Sequence, residues 1–197
     1  MERLILVRHA ESEYSAKGLL SGDPRVAVGL TDAGREQARR LGAELADEQI
    51  DLCVTSEFAR TIQTADIALA GRDIPRFVVP ELNDHPAGDY EGRLIADYLE
   101  WAHASAATDL IPGTAETRAV VVARFVRGYA LVVERPAQTI VAILHSLPIV
   151  YLLEAARGAD PVARLGMLPY AEPRELDAAS VRRALARLER WLESPAW

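Results

Sequence analysis

Short, nearly unbroken apolar runs alternate along this chain with longer stretches in which apolar residues return every three or four positions. The runs lie at 3–7, 51–55, 77–79 and 139–144. Runs without polar alternation suit parallel strands that are buried on both faces. Between them, 32–47 repeats Ala38, Leu41 and Leu45 at helical spacing, with Thr31 as N-cap and Asp32 in the first turn. Ser56 reads as the N-cap of the next helix, which carries Ile62, Ala65, Ile67 and Leu69 and stops at Gly71. Pro80 cuts the third strand. Further helices are predicted near 94–104, 115–133, 147–157 and 177–193, while 161–173 reads as irregular. Alternation of strand and helix predicts an α/β fold. The expected form is a single-domain three-layer sandwich: a mostly parallel central sheet, helices on both faces, and a small insert at about 85–115.

Composition narrows the class. Of 197 residues, 50% are hydrophobic and 26% charged, as in an ordinary folded domain. Lys and Arg number 22 against 29 Asp and Glu, a net charge of −7. That balance argues against nucleic-acid and anionic-membrane partners, which need a basic surface. Lys17 is the only lysine, so nearly all fixed positive charge is arginine, whose planar donor fork suits phosphate or carboxylate. Cys53 is the sole cysteine and sits in an apolar run, where a packed, inert thiol is expected. The first apolar run stops at Arg8-His9, far short of a signal-peptide core, and no run reaches the ~20 apolar residues of a membrane span. A cytoplasmic protein is the expectation.

Candidate chemistry lies at the strand ends, because open α/β sheets bind ligands beyond the carboxyl ends of their strands. Arg8 and His9 follow the first strand, and Ser56 follows the second with Arg60 one turn later. Glu81 and Asp84 follow the third, and His145 follows the fourth. Taken singly, each reads as a hydrogen-bonded or solvated structural group; their convergence on one sheet edge points to a site. Histidines, arginines and a carboxyl group together suit phosphoryl transfer through histidine. A neutral imidazole attacks phosphorus, arginines grip the equatorial oxygens, and the acid protonates the leaving oxygen. Arginine and histidine supply the positive charge, so no metal or other cofactor is required.

The motifs at these positions resemble those of the histidine phosphatase superfamily, the phosphoglycerate-mutase-like proteins. The matching blocks are Arg8-His9-Ala10-Glu11-Ser12, the run Leu30–Ala38 with Thr31, Gly34 and Gln37, and Ser56 with Arg60 followed by Gln63-Thr64-Ala65. They continue as Leu82 with Asp84, Gly88, Glu91 and Gly92, then Pro112-Gly113 with Glu116-Thr117 and Arg124, and end at His145. The resemblance spans about residues 4–150. It implies that His9 is the phosphorylated nucleophile, that Arg8, Arg60 and His145 form the phosphate pocket, and that Asp84 is the proton donor. Ser21 lies where the mutases have a phosphate-contacting Thr or Ser. Ser12, Ser15 and Ser146 are further candidates for substrate contact. Four departures stand out: Ala10 replaces a glycine, Ser15 an asparagine and Asp84 a glutamate, and Ser146-Leu147-Pro148 follows His145 where the family has glycine. Glu81 is a second candidate for the acid; His85 could also donate a proton, although the family pattern does not call for it.

The activity implied is a metal-independent phosphatase acting on a small phosphomonoester. A phosphoglycerate-type mutase is the alternative. Mutases of this kind have a longer insert with extra basic residues, and here Arg93 is the only arginine in 85–115. A phosphate-binding member with little turnover is the third reading, motivated by the four departures. The expected partner is a small phosphorylated substrate, with the chain as monomer or homodimer and Trp191 and Trp197 as candidate dimer contacts.

Overall fold

The computed structural model describes residues 1–197. Four parallel strands, β1 (Arg3–Arg8), β2 (Leu52–Thr55), β3 (Arg76–Val78) and β4 (Thr139–Leu144), lie in the order β3-β2-β4-β1. A fifth, β5 (Pro173–Asp177), completes the sheet antiparallel to β1, pairing Arg3 with Asp177 and Val7 with Pro173. Both faces are covered, which is why the middles of the inner strands, Leu4–Val7, Leu52–Val54 and Ile140–Leu144, are apolar without alternation. Along β1 and β4, Leu4, Leu6, Ile140, Ala142 and Leu144 face one core, shared with α5 (Arg118–Val133), α6 (Ser146–Ala156) and α7 (Ala178–Leu192). Ile5, Val7, Val141 and Ile143 alternate with them into a second core, against α2 (Asp32–Glu44) and α3 (Ala59–Ala68). Three layers follow from this alternation, since successive side chains on a strand point to opposite faces.

Local chemistry sets most helix starts. Thr31 accepts a hydrogen bond from the Gly34 N–H (2.9 Å), and Asp177 accepts from Ser180 (2.6 Å). Helix α5 starts at Arg118, later than the expected 115, because Thr117 caps Val120 at 3.1 Å. Ser56 is not a cap: α3 begins at Ala59 behind Phe58, which offers no side-chain oxygen. The Ser56 hydroxyl is turned into the protein instead. Two elements depart from the expected order. Helix α1 (Glu13–Ala16) interrupts the first loop, built on a reciprocal Ser12–Ser15 capping box. β5 fills the gap between the expected irregular stretch and the last helix, where no element was predicted; as an edge strand with polar Arg174, Glu175 and Asp177, it lacks an apolar run to announce it.

The insert between β3 and α5 holds short 3-10 turns at Pro80–Leu82 and Gly88–Tyr90 and helix α4 (Ile95–Ala104). The C-terminal tryptophans are spent on the chain itself. Trp191 and Trp197 stack with ring centroids 5.5 Å apart, and the Trp197 indole N–H donates to the Ser105 carbonyl at 3.1 Å. No helix is long and apolar enough to cross a membrane.

From β1 the chain crosses to β2 on one side, and from β4 it goes to β5 on the other. β1 and β4 are neighbours, so the strand order switches direction between them. A crevice at such a switch point is where an open α/β sheet binds ligands. His9 and His145 are the residues immediately after these two strands.

Candidate active site

Arg60, on the first turn of α3 and 3% exposed, is the hub of the crevice. Its Nε–H donates to His9 Nε2 at 3.1 Å, and one Nη donates to His145 Nδ1 at 3.1 Å. The remaining guanidinium N–H groups reach the Ser21 hydroxyl (3.2 Å) and carbonyl (3.1 Å). The Asp84 carboxylate lies 3.5 Å from Arg60 and 3.6 Å from His145. Four residues distant in sequence therefore meet around one cation. Burial pulls the Arg60 pKa down to about 10, and the guanidinium stays charged at neutral pH.

The hydrogen bonds assign both histidine tautomers. His9 Nδ1 lies 2.7 Å from the Ala10 carbonyl, a pure acceptor, so Nδ1 carries the hydrogen and Nε2 keeps its lone pair facing Arg60. On His145 the roles are reversed. Nδ1 accepts from Arg60, so Nε2–H donates to the Ser56 hydroxyl at 2.8 Å. This is what the Ser56 side chain does instead of capping. Burial first, then the charge of Arg60, holds both imidazoles well below the ordinary histidine pKa. His9 is thus a neutral base with one unprotonated nitrogen, whose lone pair accepts from Arg60; the neutral form is the one a nucleophile requires.

For Asp84, burial works to raise the pKa, but His145, the hydrogen bond from His85 and Arg60 outweigh it and hold the carboxyl well below the usual carboxylate range. Arg124 fixes the backbone of this loop. Its guanidinium donates to the carbonyls of Glu81 (3.0 Å), Asn83 (2.7 Å) and Asp84 (2.9 Å). Asp84 points into the crevice, whereas Glu81 makes no side-chain contact with Arg60 or either histidine; its Cβ faces α5 near Gly128. His85 Nδ1 sits 3.2 Å from Asp84, its ring stacks on Tyr98, and its Nε2 is buried without a partner.

The other predicted residues fall at different distances from this hub. Ser21 is part of it. Ser12 and Ser15 hydrogen-bond each other at 3.0 Å as the cap of α1, and the Ser146 hydroxyl accepts from the Leu168 N–H at 2.9 Å. Arg8 donates to the Leu168 carbonyl and lies 3.8 Å over the Tyr170 ring, with Nε buried and unpartnered. The Ala10 methyl packs into the core under α2, and its N–H donates to Thr64. No group of three or more His, Cys, Asp and Glu is placed to hold a metal ion.

The family model for the histidine phosphatase superfamily (branch 1) matches residues 4–192. The chain belongs to the histidine phosphatase superfamily. It is 42% identical over 91 residues to adenosylcobalamin/alpha-ribazole phosphatase of Salmonella typhimurium, which is 46% of this chain and 44% of that protein. It is 37% identical over 107 residues to phosphoglycerate mutase 1 of Saccharomyces cerevisiae, 51% of this chain and 42% of that one. The matches thus span less than half the length of either curated relative. The crystal structure of the alpha-ribazole phosphatase from Shigella flexneri aligns at a TM-score of 0.76 and 29% identity, covering 88% of this chain and 89% of that one.

In this member of the superfamily, Tyr170 escaped the reading of the sequence. It lies in the stretch after α6, where no periodicity flags it, yet its ring covers Arg8 and stands 6.0 Å from the His9 ring. The one available signal is conformational. Ala171 holds φ 53°, a strained value for a residue with a Cβ, and its N–H donates to the Arg8 carbonyl at 2.9 Å.

Two outcomes follow from this geometry. Arg124→Ala frees three carbonyls that position Asp84; kcat for phosphomonoester hydrolysis should fall about 10–100-fold, the usual cost of losing a supporting shell. Wild-type kcat in that variant would refute the positioning role. Separately, the neutral, buried His9 and His145 bind fewer protons than in the unfolded chain, so stability is lost as pH falls below about 6.5. Asp84, with its lowered pKa, adds to that loss only below about 4. Thermal melts should show a lower Tm at pH 5 than at pH 7, and a smaller difference in His9→Asn.

Proposed function

We propose that the protein is a metal-independent phosphatase that hydrolyses a small phosphomonoester through a phosphohistidine on His9. The observation that carries this reading is the Arg60 bridge, which joins the free nitrogen of His9, His145 and Asp84 in one buried contact set. The same donors that bind these groups in the free site match the equatorial oxygens of a phosphoryl group.

In the proposed reaction, the phosphate enters between Arg60 and His9, and the Arg60 N–H groups turn to its oxygens; His145 donates to them only once its Nδ1 takes up a proton, which the negative charge of the phosphate favours. Arg8, with its unpartnered Nε, supplies a further donor. His9 Nε2 attacks phosphorus, forming the P–N bond as the P–O bond to the alcohol breaks. Asp84 gives its proton to the leaving oxygen. Water then attacks phosphorus, the P–N bond breaks, and Asp84 takes up the proton released. Asp84 must therefore be protonated when substrate is bound. The free site keeps it ionised, but an arriving phosphate dianion draws Arg60 onto itself and places negative charge beside the carboxylate. Both effects raise its pKa.

The structure offers the mutase alternative little. Arg93, the insert's only arginine, is exposed, pairs with Asp97 at 3.5 Å and lies over Tyr90. It builds no second anion cradle beside the hub.

Phosphate release should be abolished in His9→Ala, and rapid quench with labelled substrate should trap label on wild-type protein only. Asp84→Asn should slow an alkyl phosphate about 10²–10⁴-fold, and p-nitrophenyl phosphate far less, because that leaving group departs without a proton. Equal losses on both substrates would exclude Asp84 as the acid. Label recovered in a rephosphorylated product, with little free phosphate, would favour the mutase; no release from any substrate would favour the binding-only reading.

A further inference from the structure

A general acid must carry its proton on an oxygen that faces the reacting group, and a carboxyl group does not ensure this by itself. Its two oxygens are chemically alike, and rotation about the last side-chain torsion, which is broad for aspartate, exchanges them. At Asp84 they are made unlike. Oδ2 faces the hub, 3.5 Å from Arg60 and 3.6 Å from His145. Oδ1 is held by the next residue, from the His85 backbone N–H at 3.0 Å and from the His85 ring Nδ1 at 3.2 Å.

An ionised carboxylate only accepts, so His85 Nδ1 carries a hydrogen toward Oδ1. Once Asp84 is protonated, a hydrogen on Oδ1 would point at these two donors, whereas one on Oδ2 leaves both bonds intact. The hold on Oδ1 is therefore the same in both states, and the proton comes and goes on Oδ2.

The imidazole is itself braced. It is 9% exposed and stacks on Tyr98, with ring centroids 4.6 Å apart, and Tyr98 packs in turn on Tyr90 and Trp101. The backbone beside it is closed as well: a Cβ at Gly22, next to Ser21 of the hub, would stand 2.5 Å from the His85 carbonyl oxygen. The stack fixes the ring plane, and within that plane only one of the two ring orientations sets Nδ1 against Asp84. The other nitrogen, Nε2, is buried without a partner. An unpaired buried polar atom is a cost. Phenylalanine would keep the stack and avoid that cost; what histidine adds is the bond to Asp84.

We propose that His85 is a positioning residue for the acid, holding Oδ1 so that Oδ2 presents the proton to the leaving oxygen. In that step the Oδ2–H bond breaks as the O–H bond of the departing alcohol forms. In the hydrolytic step an O–H bond of water breaks, and its proton returns to Oδ2. His85 keeps its own hydrogen throughout. The proposal rests on the phosphatase reading above and adds to it the oxygen that works and the residue that selects it.

Two substitutions separate the bond from the stack. His85→Asn keeps a donor near the Nδ1 position and loses the stack; His85→Phe keeps the stack and loses the donor. Each is assayed for kcat/KM, which reports the steps up to transfer of the phosphoryl group to His9, on ethyl phosphate and on p-nitrophenyl phosphate. The second substrate needs no proton on its leaving group and also serves as the control for folding. His85→Phe should lower kcat/KM for ethyl phosphate about tenfold and that for p-nitrophenyl phosphate far less. His85→Asn should recover most of the loss. In an Asp84→Asn background, His85→Phe should cost nothing further, since it acts through a carboxyl group already gone. Four results each assign His85 to packing alone and overturn the proposal: a wild-type rate in His85→Phe, equal losses on both substrates, a larger loss in His85→Asn than in His85→Phe, or an undiminished loss in the Asp84→Asn background. All four leave the phosphatase reading standing. Wild-type release from p-nitrophenyl phosphate alone means that no acid works, which overturns the proposal by itself; release from neither substrate overturns both.

Discussion

A guanidinium taken out of water must find acceptors for its N–H groups, and Arg60 finds them in Ser21, His9 and His145. Much else in the crevice follows from that one buried cation. Together with burial, it keeps both imidazoles neutral; it faces the unprotonated Nε2 of His9, and it helps hold Asp84 ionised. Under the phosphatase reading proposed above, phosphate takes the place of the histidines as the partner of Arg60, and the same replacement readies the acid.

The fold delivers these groups through ordinary rules of sheet architecture. β1 and β4 are paired neighbours whose ends carry the two histidines, while α3 starts beyond β2 and brings Arg60 across. The acid arrives on a loop without regular structure, so it needs its own support, and Arg124 provides it from α5 through three carbonyls. An aspartate in place of a longer glutamate suits this arrangement, since the backbone itself is held close to the hub. On the far side of the crevice, the stretch after α6 contributes the Leu168 carbonyl and the Tyr170 ring to Arg8, at the cost of a strained Ala171.

The parallel strands and the helices were legible because burial on both faces writes itself into composition. Runs such as Ile140–Leu144 have no other economical reading. β5 was not legible, because a polar edge strand satisfies its backbone by pairing with β1 and not by burying side chains. Ser56 was misread for a related reason. A serine ahead of a helix matches a cap in sequence, but only its neighbours in space show that its hydroxyl serves His145. Ser12 and Ser15 are the converse, matching a pocket position by order while bonding each other as a cap.

By itself, then, the sequence determined the α/β architecture, the placing of Arg8, His9, Arg60, Asp84 and His145 at strand ends or in the loop or first helical turn beyond them, and membership of the superfamily. These properties reside in periodicity and local order, which a linear chain records. Only the tertiary structure decided the tautomer of each histidine, that Asp84 and not Glu81 faces Arg60, the clamp of Arg124 and the cover of Tyr170 over Arg8. Apart from the contact of His9 with the neighbouring Ala10 carbonyl, they depend on which groups face one another across large stretches of chain, at distances where a few tenths of an ångström separate a hydrogen bond from none.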